Sequence, residues 1–263
     1  METRLTEFSY GYCVTEEFAN GMGAGLKAAP YFPSLYVEGK AGGGFDVRIG
    51  SAVFLQFKLC QELTRRSARE TREGLLNPTF FRFWLHRKDL SDQHKMLIDL
   101  EKQPGNQVYY IAPGFADVDA LDSSYRSKQV IARSAMFSPG EIGILPDNED
   151  HRVSFRPGEQ WGWFLSEPKR IAIHTKEKVI TRASGYHLSE NGHGVRESLR
   201  ELADKMEGII REHRGRYWNA DELSSPSQDA QRDPLERAAY LARTHFGAEL
   251  FLPAEPRPSG QQG

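Results

Sequence analysis

Gly44-Phe45-Asp46-Val47 and Phe54-Leu55-Gln56-Phe57-Lys58 decide how this chain is read. Nine residues separate Asp46 from Gln56, and Gln56 stands two residues before Lys58. The second segment is apolar apart from its Gln and Lys and predicts a buried strand. Side chains alternate along a strand, so Gln56 and Lys58 point to one face and Phe57 to the other. Polar groups buried at a strand end are costly without partners, so an oxygen ligand and an ammonium side by side next to a carboxylate ask for an explanation.

Outward from this segment, Phe45–Ile49 and Ala52–Leu59 predict two strands joined through Gly50-Ser51. Ser34–Glu38 suits a short strand, and Lys40–Gly44 a glycine-rich turn. A helix is expected from Thr15, as N-cap, to about Leu26, with Glu16 and Glu17 in its first turn. After Lys58, Gln61–Glu73 predicts a helix with Arg65, Arg69 and Arg72 on one side. Thr79–His86 predicts a strand with Phe80, Phe81, Phe83 and Trp84 as core residues. A helix capped by Ser91 and running to about Gln103 has Met96, Leu97 and Leu100 on its apolar face. A strand at Gln107–Ala112 and a helix from Val118 to about Ala132 follow. Alternating elements of this kind pack as a mixed sheet flanked by helices, an α/β fold.

Beyond Ser138 the pattern loosens. Trp161–Leu165 and Arg170–Thr175 read as strands. Val195–Arg214 is an amphipathic helix with Leu199, Leu202, Met206, Ile209 and Ile210 on its stripe. Leu223–Asp233 reads as a polar linker, Pro234 to about Phe246 as a short helix, and the Pro/Gly/Gln-rich end as disordered. The expected organisation is a core at 1–135, a β-rich elaboration with the long helix at 136–222, and a linker, short helix and tail at 223–263.

The chain has 263 residues, 39% hydrophobic and 27% charged, with a net charge of −2. No apolar run reaches the roughly 18 residues of a membrane span, and the first residues carry no apolar leader, so a cytoplasmic protein is expected. Cys13 and Cys60 fit a reducing compartment and cannot form a four-cysteine zinc site. Lys58–Lys88 holds eight basic side chains against three acidic ones. Such a stretch is either a phosphate-facing patch or a solvated face laced with ion pairs.

Asp46, Gln56 and Lys58 are the parts that metal-assisted hydrolysis of a phosphodiester needs. A divalent cation lowers the pKa of water and polarises phosphate. Mg²⁺ takes a few protein oxygens and keeps several waters. An ammonium offsets the charge that builds in the transition state. The segments Thr15-Glu16-Glu17-Phe18, Gly43-Gly44-Phe45-Asp46-Val47 and Leu55-Gln56-Phe57-Lys58 resemble the restriction-endonuclease-like PD-(D/E)xK superfamily, in its variant with Gln-x-Lys. The resemblance covers roughly residues 10–112; Phe45 replaces the usual Pro, and Gln56 the usual acid.

The resemblance implies a nuclease-like core and an endonuclease that cuts nucleic acid, DNA above all, in restriction or defence. Asp46 and Gln56 would hold Mg²⁺ or Mn²⁺ with Glu16, Glu17 or, as an alternative, Glu38. Lys58 would position or activate water, and Arg65, Arg69 and Arg72 would hold phosphates. A homodimer or a partner protein fits such an enzyme. The rival expectation is an inactive nuclease-fold module that binds nucleic acid or protein, favoured by the Gln at the ligand position. A third is a subunit that assembles through its long C-terminal helix. Trp161, Trp163, Phe155 and Phe164 can stack on bases or fill a small β core, the core being the expected role. Gly42–Gly44 lacks the Lys-Ser/Thr of a P-loop, and His187 and His193 lack metal-ligand spacing.

Overall fold

The computed structural model describes residues 3–20, 52–184, 195–214 and 233–252. Asp46, Glu38 and the expected strands at 34–38 and 45–49 lie outside them, as do most of the expected linker and the tail.

The order of elements is α1 (Glu7–Asn20), β1 (Ala52–Phe57), β2 (Gln61–Leu63), α2 (Arg69–Arg72), β3 (Phe80–Leu85), α3 (Gln93–Glu101) and β4 (Asn106–Pro113). Then come α4 (Val118–Arg126), β5 (Ser134–Phe137), α5 (Pro139–Ile142), β6 (His151–Phe155), β7 (Trp161–Leu165) and β8 (Lys169–Ala172). The chain continues through α6 (Lys176–Ser184), α7 (Val195–Arg214), α8 (Pro234–Leu241), a π-helical turn at Ala242–Phe246 and β9 (Glu249–Phe251). The fold is α/β. Among the described residues one sheet is mixed, in the order β5-β4-β1-β9, and the other is antiparallel, β2-β3-β6-β7-β8. Within the first, β1 and β4 run parallel while β9 and β5 are antiparallel to their neighbours.

β1 is buried on both faces, as expected of a central parallel strand. Phe54 faces a core shared with Val108, Tyr110 and Phe137 and with Phe83, Phe155 and Val153 of the second sheet. Val53 and Leu55 face the opposite core, built on Tyr10, Val14 and Phe18 of α1. The alternation read from the sequence therefore holds. The two sheets pack so closely that a Cβ added at Gly162 would lie 2.7 Å from the ring of Phe137.

Several expectations are corrected. α1 begins at Glu7, not Thr15. The Thr6 hydroxyl accepts from the Ser9 N–H at 3.1 Å, and Thr15 is a buried residue of the helix interior. Tyr10, Val14 and Phe18 recur every four residues and bury one stripe. Gln61–Glu73 is not one helix. Its first residues pair with β3 as an edge strand, because Gln61–Leu63 meets the ladder of Phe80–Arg82. Only Arg69–Arg72 is helical, so Arg65, Arg69 and Arg72 do not line one helix face. Trp84 is 43% exposed and is no core residue.

Both sheets cross the expected boundary near residue 135, since β3 pairs with β6 and β9 completes the first sheet. α7 buries the expected stripe of Leu199, Leu202, Met206, Ile209 and Ile210, the last four in the same core as Ala238 and Leu241 of α8. Arg237 ties the two helices together by bonding Asp204 and Glu207 at 2.7 and 2.6 Å. Among the described residues no helix is long and apolar enough to cross a membrane.

Candidate functional site at the carboxyl end of β1

The last residues of β1 carry Gln56 and, just beyond the strand, Lys58. Gln56 stands in register with Tyr110 of β4, and the Lys58 N–H continues the ladder by donating to the Ile111 carbonyl at 2.9 Å. Gln56 is 4% exposed and Lys58 8%. The Gln56 Oε1 is buried and meets no donor among the described residues. The Lys58 ammonium stands 5.5 Å from the centre of the Tyr110 ring. Among the described residues no side-chain hydrogen bond or ion pair is found for it. Burial holds its pKa down to about 8, against a weaker opposing pull from Glu7. The carboxyl ends of parallel strands are where open α/β sheets bind ligands.

The N-terminal turn of α3 closes one side. His94 Nδ1 accepts from the Tyr110 hydroxyl at 2.7 Å, and its Nε2–H donates to the Gly143 carbonyl at 2.8 Å. Burial, reinforced by the charge of Lys58 against the pull of the Gly143 carbonyl, holds the His94 pKa near 4, so the ring is neutral at pH 7. Burial and Lys58 also depress His86, which follows β3.

Gly247 closes the other side with φ +62, a left-handed conformation that favours glycine. A Cβ there would stand 3.1 Å from the Gln56 amide nitrogen and would collide with the Gln93 amide. Gln93 and Gly247 also line a cavity of about 380 Å³ with Lys88, Asp89, Ser91 and Asp92. Gln56 is not itself part of that lining but lies behind it, with its amide nitrogen against Gly247.

The acid of α1 whose charge is felt at this place is Glu7, an exposed residue. Gly11 lies against Phe57, so close that a Cβ would be 2.8 Å from the ring. Glu7 is one turn earlier on the same face, at the end of β1, where its charge acts on both Lys58 and His86.

Glu17, ten residues further along α1, is spent elsewhere. Its two oxygens accept from the Val130 and Ile131 N–H groups at 2.6 and 3.3 Å. Glu16 accepts from the Asn20 amide on the outer side of the helix. Neither joins Gln56. Arg65 is in an exposed loop and Arg72 at the exposed end of α2. Arg69 is paired with Glu73 at 2.6 Å and bonded to the Ser166 carbonyl at 3.3 Å.

The structure thus places Gln56 and Lys58 at the end of β1, with Tyr110 and His94 beside them and the charge of exposed Glu7 acting on Lys58 from α1. Glu7 was legible in the chain, because Tyr10, Val14 and Phe18 continue a four-residue spacing back to a helix start at Thr6. Gln93 and Gly247 had no such signal; the pairing of β9 with β1 places Gly247, and α3 carries Gln93 against it.

Among the described residues there is no cluster of three or more His, Cys, Asp or Glu side chains placed to hold a metal. The orphaned Gln56 oxygen nevertheless suits a hard divalent cation, which takes neutral carbonyl oxygens along with carboxylates and waters. Comparison with models of protein families, with curated proteins and with solved structures finds no match to this chain.

Proposed function

We propose that the chain is a metal-dependent nuclease that hydrolyses phosphodiester bonds in nucleic acid at the carboxyl end of β1. The observation that carries this reading is the pairing of Lys58, a buried ammonium, with Gln56, a buried oxygen that lacks a donor among the described residues. A buried amide oxygen and a buried ammonium without partners among the described residues are unfavourable for folding, and such groups are characteristic of functional sites.

Gln56 and Glu7 would hold the cation together with Asp46 from the preceding segment. When bound, Mg²⁺ or Mn²⁺ supplies a polarised phosphate and a more acidic water. Lys58, with a pKa of about 8, is mostly charged at pH 7 and would pair with a phosphate oxygen. Burial strengthens that attraction, since less water screens it. Tyr110, locked by His94, supplies the wall against which the ammonium stands.

The test is release of labelled fragments from DNA and RNA in Mg²⁺ or Mn²⁺, with Asp46→Ala and Lys58→Ala alongside. Metal-dependent cleavage that both substitutions abolish, with the fold intact by circular dichroism, is the expected result.

The second reading is an inactive module that binds nucleic acid or a protein through the same fold. The near-complete burial of Gln56 and Lys58 favours it, because a substrate must reach both. Nucleic-acid binding without cleavage in either metal would select it.

A further inference from the structure

The outer face of the second sheet is lined with tryptophan and arginine. Arg82 and Trp84 alternate on β3, and Trp84 stands in register with Arg152 of β6. The two guanidiniums flank the Trp84 indole at 5.2 and 5.5 Å from its ring centre. On β7, Trp161 and Trp163 share the same face, and Arg170 of β8 lies 5.2 Å from Trp163, opposite it in the ladder. Of the aromatic cluster noted in the sequence, Phe155 and Phe164 point inward. Trp161 is 49% exposed.

The charges here are fixed. Glu70 of α2, fully buried, accepts at one oxygen from Arg152 Nε at 2.9 Å and from the Ser154 hydroxyl at 2.8 Å. Arg82 approaches the same oxygen at 3.8 Å. Burial raises the pKa of Glu70, but these bonds outweigh it and hold the carboxyl below its usual range. Two guanidiniums share one carboxylate, so the set keeps a net positive charge. No acidic residue stands at the strand positions of this face. Polar side chains would suffice to solvate an exposed sheet; two large indoles left in water need another reason.

We propose that this face binds single-stranded nucleic acid, with bases stacked on Trp84 and on the Trp161–Trp163 pair and phosphates held by Arg82, Arg152 and Arg170. Unpaired bases present the flat faces that indoles take, and the backbone supplies the anions that match the arginines. A duplex keeps its bases stacked inside and offers only its backbone. The face is contiguous with the end of β1. Gln61, three residues after Lys58, accepts from Arg82 Nε at 2.9 Å, and His86 follows Trp84 by two residues. The inference shares a partner class with the nuclease reading but needs neither its metal nor its site.

The test is fluorescence anisotropy of labelled oligo-dT, oligo-U and a DNA duplex with the full chain in EDTA, read together with tryptophan emission. The wild type is expected to bind single strands more tightly than duplex, with quenched emission. Trp84→Ala with Arg170→Ala should weaken binding at least about tenfold. Trp84→Phe should restore much of the loss. The dT and U arms distinguish DNA from RNA.

Absence of single-strand binding, or equal binding by the double variant, overturns the proposal. So does equally tight binding of poly-glutamate without quenching, which would assign the face to an acidic protein partner. Binding that needs Trp84 in a protein that cuts nothing supports this inference and removes the nuclease one. Cleavage, with single-strand affinity indifferent to Trp84 and Arg170, does the reverse.

Discussion

The hydroxyl of Tyr110 donates to Nδ1 of His94 across 2.7 Å, and the ring of the same tyrosine faces the ammonium of Lys58 at 5.5 Å. One residue of β4 therefore bonds a histidine, whose tautomer the Gly143 carbonyl sets, and shapes the surroundings of the lysine. Tyr110→Phe keeps the ring and leaves His94 Nδ1 without its donor. We expect a loss of about 1–3 kcal/mol, the penalty for an unsatisfied buried acceptor, in urea unfolding. An unchanged midpoint would show that the bond contributes nothing.

His94 also sets a pH dependence. Its pKa is about 4 when folded, against an ordinary value of 6.5. Between those values the unfolded chain binds the proton and the folded chain does not. The stability from neutral His94 is thus complete above pH 6.5 and is lost as pH falls toward 4, by roughly 3 kcal/mol in all. Unfolding free energy measured from pH 7 to 4 should fall, and His94→Gln should flatten the slope. A slope equal to wild type would contradict the assignment.

Lys58 acts in the alkaline range. Its folded pKa of about 8 lies below the ordinary 10.5, so the unfolded chain holds the extra proton between them. Stability should rise as pH climbs from 8 to 10.5 and should be lowest, on this account, below pH 8. Lys58→Met, which keeps the stem and removes the charge, should then be more stable than wild type at pH 7 by on the order of 1–3 kcal/mol. A destabilised Lys58→Met would mean that the ammonium is compensated after all.

Gly11 tests how α1 is seated. Its Cβ position lies 2.8 Å from two atoms of the Phe57 ring. Gly11→Ala should lower stability by about 1–3 kcal/mol through overpacking, and should move Glu7 away from the end of β1. Thermal unfolding reads the first effect. A neutral or stabilising substitution would show that the ring yields freely.

What was legible in the sequence depended on period. β1, β4, α3 and α7 have one repeat over their whole length, and their faces follow from it. Lys58 and Gln56 were found on a shared face for that reason. Gln61–Leu63 was misread because three residues cannot establish an alternation, and the basic residues after them suggest a helix. Trp84 was misread because an aromatic run looks buried on both sides, whereas the arginines that flank its indole come from a partner strand 68 residues away in one case and two residues away in the other. Glu17 lost its expected role to a long-range contact with the N–H groups of Val130 and Ile131, which no local pattern announces.

The central claim is that nucleic acid is cut at the carboxyl end of β1, with the acid of α1 supplied by Glu7. Its most direct test is the rate of Mg²⁺- or Mn²⁺-dependent cleavage by wild type, Lys58→Ala, Glu7→Gln and Glu17→Gln. The account predicts cleavage by wild type, rates at least about a hundredfold lower for Lys58→Ala and Glu7→Gln, and near-normal rates for Glu17→Gln. A wild type that cuts nothing in either metal, or Lys58→Ala and Glu7→Gln variants that cut at its rate, would contradict it.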